Sequence, residues 1–79
     1  MTIKVNKFGD DEGEKLIGLE VLHNGNRLVI DKRISITEGK TSEQYVSEAY
    51  AAAQSEINAW KADISVIGLN FDENTNTLS

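Results

Sequence analysis

Two periodicities divide the chain. Apolar and polar residues alternate from Thr2 to Ile36, and from Thr41 onward apolar residues return every three or four positions. The first period belongs to strands with one buried face and the second to an amphipathic helix. The sharpest local signal is Asn24-Gly25, flanked on both sides by alternating segments. A type I′ turn needs positive φ at both central positions, and this dipeptide tolerates it best, so a two-residue hairpin is predicted.

With that turn, His23 faces Asn26, Val21 faces Leu28, Leu19 faces Ile30 and Ile17 faces Lys32. Nearly all the branched aliphatic side chains then share one surface. The other surface carries Leu22 with Arg27, Glu20 with Val29, Gly18 with Asp31 and Leu16 with Arg33. Upstream, Thr2 to Phe8 reads as a strand with Ile3 and Val5 inward and Lys4 and Asn6 outward. Residues 9–15, with two glycines and four acids, read as a loop. Downstream, Ile34 and Ile36 extend the inward face, and Thr37-Glu38-Gly39-Lys40 breaks the strand.

Thr41 followed three residues later by Gln44 predicts a capped helix start. Val46, Ala49, Tyr50, Ala53, Ile57 and Trp60 form its apolar stripe, which gives a helix over about 41–61. Residues 64–71 alternate again, with a change of phase at Gly68, and read as a last strand with a bulge. The fold class is therefore α+β: two layers, an antiparallel sheet in the order β-β-β-α-β and one long helix across one face. Residues 1–71 form a single domain, and 72–79, rich in Asn and Thr, form a flexible polar tail.

Composition narrows the chemistry. The chain has 79 residues and no cysteine, which leaves no disulfide framework, thiolate metal site or cysteine nucleophile. Thirteen acids against eight basic residues give a net charge of −5, which opposes general binding to a phosphate backbone. The first six residues alternate where a signal peptide needs a basic stretch and a long apolar run, so a cytoplasmic protein is expected, with no membrane partner.

No catalytic, cofactor or metal constellation stands out. His23 has no second histidine to work with, and no glycine-rich loop leads from a strand into a helix. The acids of residues 10–14 lack the spacing of a calcium loop, and a two-layer domain this thin is expected to offer little concavity for catalysis. The expected function is a non-enzymatic protein–protein interaction module. Its candidate partner-binding residues are the acids Asp10, Asp11, Glu12, Glu14, Glu20, Glu38, Glu43 and Glu48, together with Tyr45 as the free aromatic. Carboxylates of this kind can stand where a basic nucleic-acid-binding protein expects phosphates.

In size, acidity and architecture the chain resembles the small proteins of bacteriophages and mobile elements, including anti-CRISPR and other host-inhibitor proteins. That resemblance implies an inhibitor of a host nucleic-acid-binding or defence complex, acting in the host cytoplasm. It equally implies a virion or tail accessory protein. Three strands followed by a helix also look like the arm-type DNA-binding domain of phage integrases, which implies a basic sheet face laid in the major groove. This hairpin sets Arg27 and Arg33 beside Glu20 and Asp31 instead. Homo-oligomeric assembly, a homodimer for example, is the remaining reading, because outer strands leave unpaired edges and Leu16, Leu22 and Val29 face outward.

Overall fold

The structure, a computed structural model, describes residues 1–79. Three ten-residue strands, β1 (Thr2–Asp11), β2 (Glu14–His23) and β3 (Asn26–Ser35), form an antiparallel sheet in the order β1-β2-β3. Helix α1 (Ser42–Ile64) follows, and two-residue strands β4 (Phe71–Asp72) and β5 (Thr77–Leu78) pair with each other in a separate small hairpin.

Both long hairpins close on two residues. Asn24 and Gly25 have φ of 50° and 77°, and Glu12 and Gly13 have 52° and 81°, so both corners carry the left-handed pair that a type I′ turn requires. The β2–β3 register is the one expected from the sequence, with Leu19 opposite Ile30 and Val21 opposite Leu28. The segment read as an acidic loop is different. Strand β1 runs through Gly9, Asp10 and Asp11, and only Glu12-Gly13 turns. Once that dipeptide closes the corner, Gly9, Asp10, Asp11, Glu14 and Lys15 each find a ladder partner, which outweighs the weak strand preference of glycine and aspartate.

The β1–β2 register shifts between Val5 and Lys7, so Asn6 is an extra residue bulged out of the ladder. The bulge resets the alternation. Ile3, Val5 and Phe8 lie opposite Val21, Leu19 and Ile17 and therefore share the inward face; with Asn6 paired into the ladder, Ile3 and Val5 would face away from Phe8.

The helix begins as expected. Thr41 Oγ1 accepts from the Gln44 N–H at 3.2 Å, and Gln44 Oε1 accepts from the Thr41 N–H at 2.8 Å. The buried stripe is Tyr45, Ala49, Ala53 and Ile57, packed on Ile17, Leu19, Val21 and Ile30. Ala49 and Ala53 are fully buried, and their short side chains bring the helix axis down onto the sheet. Val46, Tyr50 and Trp60, expected on the stripe with Ala49, Ala53 and Ile57, flank it and are half-buried.

A helix about 10 Å wide spans two strands at ~4.8 Å spacing, not three. Here α1 lies over β2 and β3, tied to β3 by the six residues between Ser35 and Ser42 and by an ion pair from Lys32 to Glu56. The inward face of β1 is left without a cover.

Two further expectations are corrected at the strand and helix ends. Ile36 lies beyond β3 and is exposed. Residues 64–70 do not form a strand: α1 runs to Ile64, and tight turns follow in which Val66, Ile67 and Leu69 N–H groups bond Asp63, Ile64 and Val66 carbonyls. Gly68 supplies the positive φ, 90°, that ends them. A β-rich sequence gains its stability from a paired neighbour, and the helix delivers this one past the end of the sheet.

Residues 70–79, covering the predicted polar tail, close the β4–β5 hairpin, in which Asn70 and Ser79 exchange backbone hydrogen bonds at 2.9 Å. All residues from Ser65 to Ser79 are exposed. The molecule measures 59 × 19 × 18 Å and has a radius of gyration of 16.8 Å, where a compact chain of this length would have about 12 Å.

Candidate functional site

The uncovered inward face of β1 and the adjacent flank of α1 make a groove of about 620 Å³. Ile3, Val5 and Phe8 form its floor with Leu19, and Val46 and Tyr50 form its wall. Ser42, Glu43 and Ser47 on the first turns of the helix form a polar lip. Each lining residue has a local cause: the bulge at Asn6 aims Phe8 inward, and the helical phase set by the Thr41 cap puts Val46 and Tyr50 on the β1 side. This concavity corrects the expectation that so thin a domain has little.

The apolar floor is only partly shielded. Ile3, Val5 and Phe8 expose 36%, 47% and 41% of their surface, unusual for three neighbouring large side chains on one strand face. Backbone pairing along the β1 edge is discouraged by Lys4, Lys7 and the bulge, the usual guards of an edge strand. The groove is therefore suited to apolar side chains rather than to an added strand.

Tyr45 is not free for a partner. It exposes 5% of its surface, its ring meets Phe8 edge-on at 6.3 Å, and the Lys15 and Lys40 ammonium groups sit 5.2 Å and 5.0 Å from its centroid. Its hydroxyl accepts from the Thr37 N–H at 3.0 Å and donates to the Thr37 carbonyl at 3.2 Å. Tyr45 thereby anchors the β3–α1 connection to the end of the groove. Tyr45→Phe keeps the ring and leaves the Thr37 N–H without its partner, while the Thr37 carbonyl keeps the Lys40 N–H at 3.2 Å, so urea unfolding should show a loss of about 1 kcal/mol.

The candidate acids do not converge. Asp10 pairs with Lys15, Asp11 with Arg33 at 2.6 Å, Glu20 with Arg27 at 3.1 Å and Glu48 with Lys40 at 2.6 Å. Glu12 lies in the β1–β2 corner, Glu14 opens β2, Glu38 sits in the β3–α1 connection and Glu43 on the helix. No three acids or histidines come together as a cation cage. The hydrogen bond that Arg33 donates to the Asp11 carboxylate raises the pKa of Arg33 above its ordinary value, with further support from the charges of Asp11, Glu12 and Glu14. His23 is half-buried beside the turn, edge-on to Trp60 at 6.5 Å.

The outward sheet face bears Lys4, Lys7, Arg27 and Arg33 against Asp11, Glu14, Glu20 and Asp31. Three of the four cations are paired within that face: Lys7 to Asp31 at 3.0 Å, Arg27 to Glu20 and Arg33 to Asp11. A face that balances its own charge releases few counterions from a duplex, so the three-stranded topology does not bring the basic surface that an integrase arm needs. No helix is long and apolar enough to cross a membrane.

Compared with models of protein families, with curated proteins and with solved structures, the chain matches none. The groove residues Ile3, Val5, Phe8, Val46 and Tyr50 were not among the candidates from sequence. Only the apolar character of β1 hinted at them, because the width mismatch between one helix and three strands is a property of the assembled layers.

Proposed function

We propose that the chain is a non-enzymatic protein–protein interaction module whose working surface is the β1–α1 groove. One observation carries this reading: three neighbouring large apolar side chains, Ile3, Val5 and Phe8, form an exposed floor under a helix that covers only the other two strands. Patches of that kind on a small domain mark sites of association. The polar lip at Ser42, Glu43 and Ser47 would fix the direction of a bound segment, as a polar rim does around an apolar centre.

The phosphate-mimic version draws less support, because four of its eight acids are already neutralised within the chain and the rest are scattered. An inhibitor encoded by a phage or mobile element fits the interaction reading, with the groove in place of the acids as the recognition surface.

Selection of peptides from a random displayed library against the intact protein tests this. Selected peptides should be apolar, should shift the amide resonances of Ile3, Val5, Phe8, Val46 and Tyr50, and should bind Val5→Asp at least about tenfold more weakly. Val5 is half exposed, so that variant keeps its fold and its circular dichroism. Lysine- and arginine-rich peptides acting on Glu38, Glu43 and Glu48 would overturn the groove in favour of the acids.

A further inference from the structure

We propose that the groove is filled by the C-terminal segment of a second copy of this chain, and that two copies close on each other reciprocally. The inference deepens the groove reading and rests on it.

The chain holds two unpartnered apolar surfaces. One is the groove floor. The other is the projecting segment after α1, where Val66, Ile67, Leu69, Phe71 and Leu78 expose 46%, 67%, 46%, 61% and 50% of their surface. Nothing in the chain's own body covers them. The long strands and α1 each measure about 33–35 Å, so the segment carries the molecule some 25 Å further along its 59 Å axis.

The two surfaces cannot meet within one chain. Tyr45 packs against Phe8 and Trp60 against His23, so α1 runs from the Phe8 end of the sheet toward the Asn24-Gly25 corner. The groove flanks the first half of the helix, from Ser42 to Tyr50, whereas the segment leaves from Ile64 and continues outward. About 21 Å of helix separates Tyr50 from Ile64. A second copy, related by a two-fold axis, can present its segment to this groove and receive this chain's segment in its own. Such an isologous pairing closes at two and leaves neither surface over.

The areas match what a dimer requires. At about 150–200 Å² for a large apolar residue, the exposed parts of the segment and groove come to roughly 750 Å² for one docked segment. Two such contacts bury about 1,500 Å², within the range of stable specific interfaces.

Light scattering coupled to size exclusion on the full chain at about 100 μM should give twice 8.7 kDa. Phe71→Asp and Val5→Asp, each on an exposed side chain, should keep the wild-type circular dichroism and run as monomers. Mixing these two variants should restore part of the dimer, because one intact segment then faces one intact groove. A wild-type monomer at this concentration, a dimer indifferent to Phe71→Asp, or a mixture that stays monomeric would each overturn the proposal. If the wild type is monomeric while selected apolar peptides still shift Val5 and Tyr50, homotypic pairing alone fails; if neither occurs, the groove reading fails with it.

Discussion

Gly18→Ala is expected to lower the unfolding free energy by about 2 kcal/mol, while Gly9→Ala on the same outward face changes it by less than about 0.5 kcal/mol. Gly18 is the buried centre of the middle strand, and Lys7 on β1 reaches across it to Asp31 on β3. A Cβ at Gly18 would lie 2.7 Å from the Lys7 Cβ and 3.0 Å from Asp31 Oδ1, and would overlap the Asn6 side-chain oxygen. The Asn6 amide and the Asp31 carboxylate can rotate away. The Lys7 Cβ cannot, because it is fixed to the backbone just after the bulge, so β1 itself must move. At Gly9 a Cβ meets nothing within 4 Å. The gain in backbone order from replacing a strand glycine, roughly 0.5 kcal/mol, is common to both sites and cancels in the comparison. Equal urea midpoints for the two variants would show that β1 yields freely at the bulge.

Ile57→Ala is expected to have the larger effect, about 3 kcal/mol, read from the same unfolding curves. Ile57 is fully buried and is the largest side chain that α1 contributes to the eight-residue core without a polar atom. Truncation leaves a cavity between helix and sheet that the fully buried Ala53 one turn earlier is too small to fill. Alanine is the better helix former, which offsets a few tenths of a kcal/mol. A chain of this length holds about 4–12 kcal/mol in total, so the variant should be partly unfolded at 37 °C. The nearby Ser55→Ala, on the exposed side, serves as the control for helix propensity.

The contrast between these residues also explains what the amino-acid pattern made legible. Asn24-Gly25 fixed a corner, the corner fixed the register, and the register put Ile17, Leu19, Val21 and Ile30 on one face; each step is local or depends on side-chain period alone. The Thr41–Gln44 cap was legible for the same reason. Helical spacing places Val46 and Tyr50 on the stripe and leaves Tyr45 outside it. Its burial follows from Thr37, which offers its hydroxyl both a donor and an acceptor eight residues away. Glu12-Gly13 is a weaker turn dipeptide than Asn24-Gly25, so its corner was lost within an acidic run.

Residues 64–71 alternate as a strand should, but alternation says nothing of whether another strand stands alongside. The acids fared likewise: Asp11 with Arg33 and Glu48 with Lys40 are partners brought together by the fold, not by spacing. The groove was the least legible feature, since it arises from the widths of two layers and from one unpaired residue.

That residue, Asn6, has a consequence for how the surface can change. Removing it would leave Val5 opposite Leu19, Lys7 opposite Gly18 and Phe8 opposite Ile17, a regular ladder with the same greasy floor. The bulge is therefore a spare position: versions of this chain that lack it would keep the cleft but carry a straighter outer strand, one more open to pairing with another chain.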